Sequence, residues 1–158
     1  MQVPIQTEQT IGKHDELTKT AIGVFYDVYN ELGSGFLESV YKECMRIALV
    51  DAGLAVQTEM PIPVHFRGNL VGVFKADLVV IGAVLIELKV GDGLAKEHES
   101  QTLNYLRATD LEVALLMNFG PVARFRRLAM DNDKKNKTVA SVKIGVRAFA
   151  DQVVTEWV

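Results

Sequence analysis

Asp77, Glu87 and Lys89 are set into the two apolar runs that meet at a glycine in "FKADLVVIGAVLIELKVGDG", residues 74–93. Side chains alternate faces along a strand, so Glu87 and Lys89 share one face while Leu88 points to the other. Whether Asp77 joins them depends on how the chain turns. A three-residue loop at 81–83 sets Val80 against Val84 and, further out, Asp77 against Glu87; a two-residue turn at Gly82-Ala83 sets Asp77 against Leu88 instead. In the first register two carboxylates stand about 5 Å apart at their β-carbons, where like charges destabilise a sheet. A divalent cation offsets that repulsion, because carboxylate and carbonyl oxygens suit Mg²⁺ or Mn²⁺, ions that keep water and also take up phosphate oxygens. Lys89 beside such an ion can orient or deprotonate a water, or neutralise charge building on phosphorus. The competing reading is a solvated ladder in which Lys89 pairs with Glu87 or Asp77. Apolar residues at consecutive positions in "LVVIGAVLI" mark strands covered on both faces, where unpaired charge is costly, and this favours the ion.

The elements that position these residues follow from periodicity. From Asp15 onward Leu17, Ala21, Val24, Phe25, Val28 and Leu32 recur at three- and four-residue spacing, which predicts a helix ending at Gly33. A second helical pattern, Phe36, Leu37, Val40, Tyr41, Cys44, Met45, Ala48 and Leu49, closes near Gly53. The Val-, Ile- and Phe-rich run 56–90 is punctuated by "RGN" and "IGA", which predicts a three-stranded antiparallel meander. Its first strand carries Pro61 and Pro63 and belongs at an edge. Residues 94–108 are helical in propensity, and "LEVALLMNFG" and "PVARFRRLAM" read as strands about a Gly-Pro turn, giving the order ααβββαββ. Residues 1–13 read as an arm or short edge strand and "DNDKKNK" at 131–137 as a polar, solvated loop. The last twenty residues fit either a strand pair or a short helix ending in "VVTEWV".

Two more clusters carry chemistry-bearing groups. Glu38 and Tyr41 share a helix face with apolar residues, so an inward carboxylate there needs a partner. His98, Gln101 and Tyr105 fall at i, i+3 and i+7, one stripe on the helix after the E-x-K strand, and equally a half-buried polar seam.

At 158 residues the chain fits one domain with a single core, and 49% hydrophobic with 23% charged residues excludes extended disorder. A net charge of −3 excludes a chain-wide basic surface, so any phosphate-binding surface is local. Lys75, Arg107 and Lys96 are charges that could contact a phosphate backbone and are otherwise solvated. The single cysteine, Cys44, excludes an intrachain disulfide and a cysteine-based zinc site, and reads as a buried, inert thiol. No apolar run reaches the roughly 18 residues that span a bilayer, and no signal-peptide pattern opens the chain. No membrane association and a cytoplasmic location are expected.

The ordered motifs Gly35-x-x-Glu38-x-x-Tyr41, "FKADLVV", "IELK" and "QTLNYLRAT…LLMNFG" resemble the GxxExxY proteins, a branch of the PD-(D/E)XK nuclease-like superfamily, from about Asp15 to Phe125. The resemblance implies an α/β (α+β) restriction-endonuclease-like core, a mixed central sheet with a three-stranded meander flanked by helices. It implies one domain over residues 1–158, with the core at about 15–128 and 129–158 as a C-terminal extension. By the same resemblance Asp77 and Glu87 match the metal-binding acids, with the Leu88 carbonyl a further ligand and Lys89 the catalytic lysine. Glu38 matches the acid contributed by the first core helix. Gln101 and Tyr105 look like the Q-x-x-x-Y motif of the RecB-like branch, placed to hold the nucleic-acid backbone or steady the site. Ala76 stands where the family's motif proline would precede Asp77. The expected activity is Mg²⁺-dependent hydrolysis of phosphodiester bonds in nucleic acid, DNA before RNA, with Mn²⁺ as substitute. A catalytically silent module of the same fold, binding nucleic acid or forming homo-oligomers, is the alternative, and hydrolysis of a small nucleotide would use the same residues.

Overall fold

A computed structural model describes residues 13–135 of the chain, so the expectations for the N-terminal arm and the last twenty residues lie outside the described part. Helices α1 (Asp15–Leu32) and α2 (Glu38–Asp51) are followed by strands β1 (Val56–Phe66), β2 (Asn69–Val80) and β3 (Val84–Lys89). Helix α3 (Lys96–Arg107), strands β4 (Val113–Phe119) and β5 (Ala123–Ala129), and one 3₁₀ turn at Asn132–Lys134 complete the order, which is the predicted ααβββαββ. The five strands form one sheet in the order β1-β2-β3-β4-β5. β3 and β4 run parallel through α3 and every other pair is antiparallel, so the sheet is mixed and the fold is restriction-endonuclease-like.

Local sequence explains most boundaries. Helix α1 buries Ala21, Val24, Phe25 and Val28 on one stripe, carries Asp15 and Glu16 in its first turn where the helix dipole favours acids, and stops where Gly33 takes a φ of 68°. Its last turn closes through the Gly33 N–H donating to the Tyr29 carbonyl at 2.7 Å. The β1–β2 hairpin turns on Arg67 and Gly68, both at positive φ, as a two-residue turn that follows sheet twist requires. Pro61 and Pro63 lie on β1, an edge strand, so their missing N–H groups break no interior ladder.

The sheet separates two layers of core, where chain length alone implied one. On one face α1 and α2 cover Leu78, Val84, Ile86, Leu88, Leu115 and Met117. On the other, α3 brings Tyr105 and Leu106 over Val79, Leu85, Ala114 and Leu128. β3 and β4 are buried almost throughout, as their unbroken apolar runs require.

Three readings of the sequence need correction. Phe36 and Leu37 precede α2 and are exposed, because the glycine-bearing link after α1 delays the helix to Glu38. Cys44 is half-buried, since it lies at the flank of the α2 stripe rather than at its centre. The polar run after residue 130 is not uniformly solvated: Asp131 and Lys135 are buried, and the Lys135 ammonium donates to the Thr109 and Leu111 carbonyls at 2.8 and 2.6 Å. Among the described residues no helix is long and apolar enough to cross a membrane.

Candidate active site

The β2–β3 turn decides the site. Ile81 and Gly82 both take positive φ, 54° and 62°, and the Ala83 N–H donates to the Val80 carbonyl at 3.0 Å. The strands then pair Val80 with Val84, Val79 with Leu85 and Leu78 with Ile86, which is the register of the three-residue loop. One step further out side chains replace the backbone ladder. The Asp77 N–H donates to Glu87 Oε1 at 3.0 Å, and the Leu88 N–H donates to Asp77 Oδ2 at 2.8 Å. The two acids are therefore neighbours, and the Leu88 backbone is tied to them while its side chain is buried on the face covered by α1 and α2.

Glu87 is 4% exposed. Burial, and secondarily the charge of Asp77, holds its carboxyl well above the ordinary range, against the smaller opposing pull of Lys89. This is the opposite of a solvated ladder. Lys89, half-buried at the end of β3, shares the face of Glu87.

Glu38 reaches the same field from α2. Partial burial and then the charge of Asp77 raise its carboxyl, while Lys89, Lys42 and His98 lower it, so these four groups all act on the Glu38 position. The link before α2 explains how. Gly35 has a φ of 112°, a conformation side chains rarely adopt. The buried Tyr41 hydroxyl donates to the Gly33 carbonyl at 2.6 Å and accepts the Phe36 N–H at 3.3 Å. Its ring stacks on Phe119 with centroids 4.1 Å apart. In Gly35-x-x-Glu38-x-x-Tyr41, the glycine makes the turn, the tyrosine clamps it, and the glutamate is the group delivered. Tyr41 thus anchors the segment that presents Glu38.

The stripe on α3 divides. Tyr105 is buried, stacks on Phe74 with centroids 4.0 Å apart, and has its hydroxyl pushed up to about 12 by burial and by the charges of Glu87 and Asp77. Gln101 is exposed. His98 Nδ1 accepts the Ala95 N–H at 3.3 Å, closing the first turn of α3.

Two charged residues at the site escaped the sequence reading. Lys42 Nζ is 3.7 Å from Asp77 Oδ1 and hydrogen-bonds Glu59. Although burial works against its charge, Glu59, Asp77 and Glu38 together raise its pKa. The signal was present, because Lys42 follows Glu38 by one helical turn. Glu59 lies between Thr58, paired with Leu78, and Met60, paired with Ala76, and so opposite Asp77, at a φ of 52°. Across that point the hairpin changes layers: Leu78 belongs to the face covered by α1 and α2, and Ala76 to the α3 face.

An oxygen-only set of two neighbouring carboxylates, a third in the same field and a backbone carbonyl beside them fits a hard divalent cation. Among the described residues no three His, Cys, Asp or Glu side chains already stand together as a metal-holding group.

A mixed five-stranded sheet with paired acids and a lysine across adjacent strands defines a nuclease-like class. The chain belongs to the PD-(D/E)XK nuclease superfamily, whose family model matches residues 15–128. No curated protein matches the sequence. Among solved structures, the crystal structure of SSO0001 is similar at a TM-score of 0.48 and 16% identity, over 94% of this chain and 71% of that one.

Proposed function

We propose that the protein is a metal-dependent nuclease of the GxxExxY branch, hydrolysing phosphodiester bonds in nucleic acid, with DNA ahead of RNA. The supporting observation is Glu87, a nearly inaccessible carboxyl set against Asp77, a pairing that is unfavourable for two anions and becomes favourable around a cation. Asp77, Glu87 and the Leu88 carbonyl would hold Mg²⁺, or Mn²⁺ in its place, with Glu38 as a further oxygen donor. Such an ion, when bound, supplies Lewis-acid polarisation of the phosphate and lowers the pKa of a bound water. Lys89 orients the attacking water and offsets charge on the phosphate oxygens. Tyr105, held by Phe74 and kept protonated by its surroundings, donates a hydrogen bond toward the acids or a bound phosphate, and Gln101 contacts the strand from the exposed face of α3.

The test is incubation of the purified protein with Mg²⁺ or Mn²⁺ on single- and double-stranded DNA and RNA, beside Lys89→Ala and Asp77→Asn. Cleavage that survives both substitutions would sink the mechanism. One observation favours a second reading, a silent module in which Lys42 already neutralises part of the acidic pair. Calorimetric titration with Mn²⁺ separates the two, since phosphate-dependent ion binding belongs to the nuclease.

A further inference from the structure

The strand registers place two arginines in line with the acids. Across the sheet Lys89 pairs with Asn118 and Asn118 with Arg124; one step along, Glu87 pairs with Leu116 and Leu116 with Arg126. Residues paired across a sheet share its face, so Arg124 and Arg126 stand on the face of Glu87 and Lys89. The core confirms that face independently: Leu85, Ala114 and Leu128, two residues along each strand from Glu87, Leu116 and Arg126, all pack under α3. The offset is two inter-strand spacings, about 10 Å.

An open pocket of about 540 Å³ wraps the β5 edge, lined by Arg124 and Arg126 from that face, by Phe125 and the exposed Tyr26 from the opposite face under α1, and by Gly93 and Leu94. Gly93 and Leu94 belong to the segment that leaves β3 just after Lys89, so the pocket rim continues directly from the catalytic strand. That segment is pinned to β4, where Asn118 Nδ2 donates to the Gly91 carbonyl at 3.1 Å. Arg126 is part-shielded by Glu99 at 3.6 Å, whereas Arg124 is exposed. A chain of net charge −3 thus concentrates two guanidinium groups beside an aromatic ring at one mouth of the sheet. Guanidinium forks grip phosphate oxygens and aromatic faces accept bases.

We infer that this pocket is a second nucleic-acid subsite, in which Arg124 and Arg126 hold a backbone phosphate of the strand whose scissile bond lies over Asp77 and Glu87. The inference rests on the nuclease reading and adds the direction of the strand: from the acids, around the N-terminal end of α3 that covers β4, to the β5 edge. At about 3.4 Å per stacked nucleotide, the offset corresponds to roughly three nucleotides.

The test is fluorescence anisotropy with labelled single-stranded DNA of two, four, six and twelve nucleotides in EDTA, across a salt series. Arg124→Glu and the double variant Arg124→Ala/Arg126→Ala are compared with the parent and with Lys19→Ala, an exposed charge on α1. Arg124→Glu alters only an exposed side chain, so it reports even where the double variant folds poorly. Both are expected to bind twelve-nucleotide DNA about ten-fold more weakly with a salt slope lower by about one per arginine, and the dinucleotide equally to the parent. Binding with unchanged affinity and salt slope in Arg124→Glu would overturn the subsite and leave the nuclease reading intact. A parent protein that binds no oligonucleotide at any salt overturns the subsite, whereas absence of cleavage with Mg²⁺ or Mn²⁺ overturns the nuclease reading.

Discussion

Glu87 and Asp77 are each fixed by the other's strand: the Asp77 amide donates to Glu87 Oε1 at 3.0 Å and the Leu88 amide to Asp77 Oδ2 at 2.8 Å. Two acids so held cannot rotate apart to relieve their repulsion. The relief open to them is a proton or a cation.

That relief has a measurable pH signature. Burial, then Asp77, raises the folded-state pKa of Glu87 above its unfolded value. The stability it contributes is complete below about pH 4.5, the ordinary value, and is lost as pH rises through the elevated pKa, because the folded state then binds more protons than the unfolded one. Glu87→Gln keeps the oxygen that accepts the Asp77 amide and removes the charge. In EDTA this variant is expected to melt higher than the parent at pH 8 and to show little of the parent's decline between pH 5 and pH 8. Parallel melting curves for the two proteins would refute the assignment.

Lys42 should compete with the cation. Its ammonium lies 3.7 Å from Asp77 Oδ1 while also bonding Glu59, on a part-exposed pair. Such pairs contribute up to ~1 kcal/mol. Lys42→Met is therefore expected to tighten Mn²⁺ binding by roughly two- to five-fold, the same energy as a ratio, while lowering the melting temperature measured without the ion. Calorimetry and a thermal scan read the two effects separately, and weaker Mn²⁺ binding would mean that Lys42 helps to hold the ion's ligands instead.

The parts of this arrangement that sequence makes legible are those fixed by local chemistry. Element order follows from periodicity and from glycines at helix ends, and the β2–β3 register follows once the loop runs from Ile81 to Ala83. The sequence left that loop open because the turn needs Ile81 at a φ of 54°, a conformation a β-branched residue adopts only under tertiary constraint. Here its N–H is taken by the Ala55 carbonyl at 2.8 Å. Spacing places Lys42 one helical turn after Glu38, but its approach with Glu59 to Asp77 depends on how α2 crosses the β1–β2 hairpin, which is set by the fold. Gln101 and Tyr105, read as one stripe, separate because α3 buries Tyr105 against Phe74 and leaves Gln101 toward solvent. Lys135 is buried because two carbonyls beyond the end of α3 need donors, a demand visible only in the fold.

Tyr41→Phe isolates the clamp on the Glu38 segment. The ring remains to stack on Phe119, but the Gly33 carbonyl loses its donor and the Phe36 N–H its acceptor. The expected cost is about 1–2 kcal/mol in urea unfolding. If the clamp also positions Glu38, Mn²⁺ affinity falls in Tyr41→Phe and falls no further when Glu38→Gln is added, as residues acting through one another are non-additive. Additive losses would make the clamp structural only.

Gly120→Ala probes the segment that carries the chain away from Lys89. A β-carbon at residue 120 would stand 2.0 Å from the Gly91 carbonyl oxygen and 2.7 Å from Asn118 Nδ2. The nearer atom is backbone, so no side-chain rotation relieves the clash, and the Asn118–Gly91 hydrogen bond that pins the segment must break. Overpacking of this kind costs ~1–3 kcal/mol, and a forced backbone shift belongs at the upper end. The variant is expected to lower the urea midpoint with little change in slope. Because Gly91 lies two residues after Lys89, cleavage under conditions where the variant is fully folded should fall as well, by at least ten-fold. A variant as stable as the parent would show that the 90–95 segment is free to move away from β4, and that its contact with Gly120 does not fix the end of β3.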